Sequence, residues 1–251
     1  MKLLDLTLPS PEENLACDEA LLDGCEEDGA DEVLRFWEPD RRFVVVGYSN
    51  RVSAETDEAA CRREKIPILR RCSGGGAVLQ APGCLDYALV LRIGGSDHLA
   101  DVSKTNRFIM QRHAAAIGPL IENRAVDGSR PGGGPAVRVE GTTDLAMDGW
   151  KFSGNAQRRK RRYLLFHGTF LLGCDLAWME KVLPMPSRQP GYRRNRSHGA
   201  FVANVPVAGP ALKDALARAW GVDGPFEAMP TARIEELVAV RYRTPEWNCK
   251  F

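Results

Sequence analysis

No run of 18 apolar residues occurs in the 251-residue chain, so the sequence offers no membrane-spanning helix. The opening stretch, MKLLDLTLPSPEENLACDEA, meets acidic residues before a signal-peptide core can develop. No CxxC pair and no Cys/His set at zinc spacing is present, and the seven cysteines (17, 25, 61, 72, 84, 174 and 249) are odd in number and scattered. A disulfide framework is therefore not expected, and the thiols read as small buried hydrophobes. Charge of one sign is also lacking: 34 basic against 33 acidic side chains leave a formal +1, which excludes a uniformly basic nucleic-acid coat and an acidic disordered tail. There is no internal repeat, no GxGxxG dinucleotide turn and no GK[ST] phosphate loop. What remains is ordinary globular composition, 44% hydrophobic and 27% charged, in a chain long enough for one large domain or two small ones. These features predict a soluble, cytoplasmic protein with no membrane partner.

The balanced total hides an uneven distribution. Residues 151–200 hold eleven Lys/Arg against Asp175 and Glu180, a local +9, which leaves −8 for the remainder. The densest part, Arg158-Arg159-Lys160-Arg161-Arg162, reads either as a solvated hairpin turn or as a patch for a partner. Hydrophobic spacing predicts helices over 14–25, 57–64, 103–123, 211–220 and 231–240, the first with a heavily acidic outer face. Strands are predicted over 33–37, 43–48, 66–71, 85–93, 145–147, 150–153 and 164–172, and a glycine-rich loop or linker over 128–135. Strand runs interleaved with a few helices give an α+β class: a mixed, mainly antiparallel sheet flanked by helices.

Three segments could carry chemistry. Arg70-Arg71-Cys72-Ser73-Gly74-Gly75-Gly76-Ala77-Val78 follows a predicted strand. Consecutive glycines let backbone approach a ligand, exposed amides in such a turn bind anions, and Arg71 is read as a bidentate donor for phosphate or carboxylate. A tight turn with a solvated arginine pair would have the same pattern. In Trp150-Lys151-Phe152-Ser153-Gly154-Asn155, strand alternation predicts Lys151, Ser153 and Asn155 on one face, an ammonium, a hydroxyl and an amide together. A surface strand with a solvated lysine is the plain alternative. Phe166-His167-Gly168-Thr169-Phe170 sets one histidine in an apolar strand, where a satisfied core residue and a ligand contact both fit.

Taken together, these segments resemble the catalytic domain of the biotin/lipoate protein ligase superfamily, and most closely its lipoate-protein ligase branch. The likeness extends through Asn14-Leu15-Ala16 with Asp18-Glu19, Val46-Gly47-Tyr48-Ser49-Asn50, RRCSGGGAV, Gly141-Thr142-Thr143-Asp144-Leu145, KFSGNAQ, HGTFLL and Glu246-Trp247-Asn248. The resemblance implies that lipoate or octanoate reacts with ATP and Mg²⁺ to give an acyl-adenylate. A lysine of a lipoyl-type carrier domain, acidic in related systems, would then take the acyl group. It implies Lys151 as the catalytic cation, where charge develops during both attacks. It also implies a substrate and nucleotide site built from Arg71, Ser73, Gly74, Gly75, Gly76, Ala77, Val78, Leu79, Asp144, Ser153, Asn155, His167 and Gly168, with Asp144 as a Mg²⁺ contact. The whole chain, 1–251, is read as a single such catalytic domain.

Superfamily relatives transfer octanoyl or lipoyl groups without ATP, through a cysteine thioester. The two thiol positions of those groups correspond here to Pro135-Ala136-Val137-Arg138-Val139 and to Met185 after Pro184, neither of which has a sulfhydryl. That favours the ligase. A biotin ligase would share the fold but not the KFSGNAQ-to-HGTFLL run. A nucleic-acid module would explain 158–162, yet Tyr163 is the only aromatic beside that run for base stacking, so nucleic acid is not the expected partner. The chain ends at Phe251, shortly after Glu246-Trp247-Asn248. The accessory domain of longer relatives is therefore expected to be absent or supplied by a separate protein.

Overall fold

The computed structural model describes residues 1–94, 97–122 and 136–251. In chain order the elements are β1 (Lys2–Asp5), α1 (Pro11–Asp28), β2 (Val33–Trp37), β3 (Phe43–Val46), α2 (Val52–Glu55), α3 (Glu58–Arg63), β4 (Ile68–Arg70), β5 (Val78–Gln80) and β6 (Cys84–Arg92). Next come α4 (Val102–Glu122), β7 (Val137–Glu140), β8 (Asp144–Met147), β9 (Trp150–Arg159), β10 (Tyr163–Leu171) and α5 (Ala177–Val182). The chain closes with α6 (Gly209–Ala219), β11 (Gly224–Pro225), α7 (Thr231–Leu237) and α8 (Pro245–Asn248). The predicted 128–135 loop lies outside the described residues. No helix among the described residues is long and apolar enough to cross a membrane.

Eight strands form one sheet in the order β11-β1-β2-β6-β10-β9-β8-β7, parallel at β11-β1-β2 and antiparallel beyond. A second sheet, β4-β3-β5, stands apart from it in pairing. The α+β class with a mixed, mainly antiparallel sheet is thus observed.

Period-2 alternation sorts the large sheet into two faces. Leu85, Tyr87 and Leu89 of β6 and Leu164, Phe166 and Phe170 of β10 join Ile109, Met110 and Ile117 of α4 and Leu212 and Leu216 of α6 in one core. The opposite positions, Ala88, Val90 and Leu165, pack against Leu15, Cys17, Leu21 and Leu22 of α1 and against Val45 and Leu69 of the small sheet.

Helix α1 starts on a capping box, with Ser10 Oγ accepting from the Glu13 amide while the Glu13 carboxylate accepts from the Ser10 amide. It stops at Gly29, whose φ of +69° suits glycine. Its acidic face is not left to solvent. Asp23 pairs with Lys160 (2.5 Å) and Arg233 (2.6 Å), Glu19 with Arg241 (2.5 Å) and Arg158 (3.4 Å), and Glu26 accepts from the Arg162 amide (2.9 Å).

Candidate active site

The two sheets enclose a cavity of about 470 Å³, a size suited to a small-molecule ligand. Of the residues singled out in the sequence, Arg71, Gly75, Gly76, Ala77, Val78, Leu79, Asp144, Lys151, Ser153, Asn155, His167 and Gly168 line it, whereas Ser73 and Gly74 stand behind the wall.

The glycine turn leaves β4 and enters β5. Gly75 has φ +91°, a conformation that disfavours other residues. Its carbonyl lies so near Gly47 that a Cβ there would come within 2.0 Å of the oxygen. The amides of Gly75, Gly76 and Ala77 have no protein acceptor among the described residues, so they are available to an anion. Arg71 differs from its sequence-based role. Its Nη2 donates to the carbonyls of Gly74 (2.6 Å) and Gly76 (2.8 Å) and its Nε to Ser73 Oγ (3.2 Å), so the guanidinium clamps the turn and is no free fork. Burial pulls its pKa down to about 10, still far above neutrality. No carboxylate pairs with it among the described residues, so its charge adds to the attraction for an anion in the cavity.

Lys151 corrects a second expectation. Leu145 pairs with Ser153 while Ala146 pairs with Lys151, so Phe152 is the extra residue of a β-bulge. The bulge reverses the alternation. Lys151 Nζ lies 2.8 Å from where a Gly154 Cβ would stand, which places the ammonium on the cavity face with Gly154. Ser153 and Asn155 turn their side chains to the other face. There Asn155 Oδ1 accepts from Tyr87 (2.6 Å), its amide donates to Thr143 O (2.6 Å), and only Gly168 leaves room for it. Lys151 Nζ meets Asp144 Oδ1 at 2.8 Å, and Asp144 Oδ2 accepts from Tyr192 (2.8 Å). Burial, then the Asp144 charge, raises the Tyr192 pKa and keeps it a donor.

His167 is the middle of a buried chain. Arg35 Nη1 donates to Asp18 Oδ1 (2.6 Å), Asp18 Oδ2 meets His167 Nδ1 (3.0 Å), and His167 Nε2 meets Ser73 Oγ (2.6 Å). The Asp18 carboxylate can only accept, so His167 Nδ1 donates to it, which leaves Nε2 to pair with the Ser73 hydroxyl. The Asp18 carboxyl is held below its usual range by Arg35 and by the hydrogen bond from His167, against the opposing effect of burial. Helix α1, strand β10 and the glycine turn are thereby tied together behind the cavity.

A family model for the lipoyl protein ligase A/B catalytic domain matches residues 10–212. The chain belongs to that family. A relative from Aeropyrum pernix, assigned as a lipoate-protein ligase A, is 32% identical over 184 residues. That match covers 72% of this chain and 61% of that protein's length. An octanoyltransferase LipM of Brevibacillus brevis is 24% identical over 264 residues, 96% of this chain and 95% of that one. The bi-partite lipoate protein ligase of Thermoplasma acidophilum, solved in a study that includes its E2 lipoyl domain, is 25% identical with a TM-score of 0.77, covering 99% and 95% of the two chains. A lipoate-protein ligase A bound with ATP shares the fold, with a TM-score of 0.76 at 24% identity over 99% and 98%. Relatives of this chain therefore carry the names of both lipoate-protein ligases and octanoyltransferases.

The cavity is lined by no cysteine, although all seven are described. Burial pushes Cys72 and Cys25 up to about 12 and Cys17 up to about 11, the opposite of what a nucleophilic thiolate requires. Among the described residues no group of three or more His, Cys, Asp or Glu is placed to hold a metal. In the basic run at 158–162, Arg158 and Lys160 pair with acids of α1, Arg158 and Arg159 also bond Cys72 O and Leu99 O, and Arg161 and Arg162 stay exposed. Sequence reasoning missed Gln80, Asp86 and Thr169, which line the cavity as a hydrogen-bonded trio. The one signal was a carboxylate inside the apolar 85–93 run.

Proposed function

We propose that this chain joins lipoate or octanoate to ATP as an acyl-adenylate and passes the acyl group to a lysine on a lipoyl-type carrier domain. The observation that carries this reading is a cavity with an ammonium and free turn amides but no thiol. In the first step a carboxylate oxygen attacks the α-phosphorus and pyrophosphate leaves. In the second the carrier amine attacks the acyl carbonyl, AMP leaves, and the amine proton is lost to solvent. Lys151 sits where negative charge builds on carbonyl and phosphate oxygens, and preorganised donors there lower the barrier most. The amides of residues 75–77 cradle the phosphate.

Magnesium commonly takes one or two carboxylates plus substrate phosphates. Asp144 is the cavity carboxylate beside Lys151, but its Oδ1 pairs with that ammonium and its Oδ2 accepts from Tyr192. It would hold the ion only by giving up one of them, and the ion would then supply further charge neutralisation on the phosphates. ATP as co-substrate assigns the work to the cytoplasm. The carrier is proposed to be acidic, facing the exposed Arg188 at the cavity, and a separate accessory subunit is proposed by analogy with the bi-partite relative.

The full-length match to octanoyltransferases favours a second reading, transfer from a thioester donor without ATP. Mass spectrometry after incubation with ATP, Mg²⁺ and lipoate, octanoate or biotin separates the two. Acyl-AMP with lipoate or octanoate supports the ligase. An acyl group bound to a cysteine after a parallel incubation with an octanoyl thioester in place of the free acid and ATP, with no acyl-AMP from the free acids, supports the transferase.

A further inference from the structure

The trio Gln80, Asp86 and Thr169 has no part in the chemistry above, yet it forms cavity wall. Trp37, Asp86, Thr169 and Gly154 pair in succession across β2, β6, β10 and β9 and so make one row on the sheet. Lys151 Nζ stands over Gly154, at one end of that row. Neighbouring strands lie about 4.8 Å apart, so Asp86 is about 10 Å from the reacting end and Trp37 about 15 Å. An acyl chain of medium length with its carboxylate at Lys151 brings its far end to this trio.

The amide and hydroxyl donors of the trio are all used. Gln80 Nε2 donates to Asp86 Oδ1 (2.6 Å) and Thr169 Oγ1 (2.7 Å), and Thr169 Oγ1 donates to Asp86 Oδ1 (2.5 Å). Two oxygens are left over. Gln80 Oε1 and Asp86 Oδ2 are buried without a partner among the described residues, in residues only 5% and 3% exposed. Leaving such atoms unpaired costs about 1–3 kcal/mol each, and a plain alkyl tail would seal them in that state.

We infer that the Gln80–Asp86–Thr169 trio selects acyl substrates whose far end carries a hydrogen-bonding group, such as a hydroxyl, over unsubstituted alkyl chains. The inference rests on the acyl-activation reading for the direction in which the chain lies. Burial pushes the Asp86 carboxyl up to about 8, so at neutral pH it holds a proton. With Oδ1 already accepting twice, that proton belongs on Oδ2, as a donor. A terminal hydroxyl then accepts from Asp86 and donates to Gln80 Oε1, completing both.

The test compares octanoate with 8-hydroxyoctanoate, as substrates in ATP-dependent adenylate formation and as ligands by calorimetric titration. The wild-type protein is expected to favour the hydroxy acid by roughly tenfold in kcat/KM and in affinity, the scale of one well-made hydrogen bond. Gln80→Leu and Asp86→Leu should each bring that ratio to one or below. If Asp86→Leu does not fold, Gln80→Leu carries this arm alone. A wild-type ratio at or below one, or a ratio that survives Gln80→Leu, overturns the inference. If neither acid nor lipoate yields an adenylate, the acyl-activation reading has failed, and the titration still decides the preference.

Discussion

The two faces of the large sheet use the same strands for opposite ends. Facing α4 and α6, β6 and β10 present leucine, tyrosine and phenylalanine, and the histidine there, His113, accepts from Trp220 Nε1 (2.9 Å) within an aromatic cluster. Facing α1 and the small sheet, the alternate residues of the same strands include Asp86, His167 and Thr169, with Arg35 beside them on β2 and Asp18 opposite. Buried polar groups destabilise unless paired, so stability alone would have made both faces alike. The polar face carries buried charged groups beside its core contacts, and it is the face that walls the cavity. The comparison assigns stability to one face and chemistry to the other.

The largest effect that could break this division is Phe166→Ala on the apolar face. It should destabilise by about 3–5 kcal/mol in denaturant melts while leaving the rate per folded molecule near wild type. A large loss of rate with normal stability would contradict the division.

The next test is pH, because the two faces respond with opposite sign. Burial pulls His113 down to about 3, below its usual 6.5. The native state therefore binds fewer protons than the unfolded chain between those values, and this stability is lost as pH falls through that window. Burial pushes Asp86 from 3.8 up to about 8, so its contribution is lost as pH rises through that range. Each limb has a slope of at most about 1.4 kcal/mol per pH unit. Thermal melts of His113→Gln should show a flatter acid limb, and those of Asp86→Asn a flatter alkaline one.

A smaller effect sharpens the placement of the ammonium. A Cβ at Gly154 would meet Lys151 Nζ at 2.8 Å and Cε at 2.9 Å, so Gly154→Ala must shift the lysine. Turnover should fall by roughly tenfold with an unchanged melt, since small misplacements of a reacting group are felt in the rate.

Much of the apolar face was legible in the sequence. The run predicted at 85–93 is β6 at Cys84–Arg92, and helix 103–123 is α4 at Val102–Glu122, because length and period were both strong. Strands β1, β5 and β7 and helix α5 escaped, being three to six residues long with too few positions to show a period. The polar face was readable as residue types but not as geometry. A one-residue bulge at Phe152 is invisible to alternation, so Lys151 was predicted on the wrong face relative to Ser153 and Asn155. Arg71 was foreseen at the site, but its carbonyl partners depend on a turn whose shape only the fold defines. The acids of α1 and the bases at 158–162 are more than a hundred residues apart, so their pairing could not be seen in either segment alone.

The most direct test of the central claim, that the polar face activates a carboxylic acid through Lys151 without a thiol, is lipoate-dependent exchange of labelled pyrophosphate into ATP. The wild-type protein and Lys151→Ala are measured side by side. The account predicts exchange by the wild type and a loss of at least about 10²-fold in the variant, as for removal of a transition-state donor. Near-equal exchange by the two proteins, or none by the wild type, would contradict it.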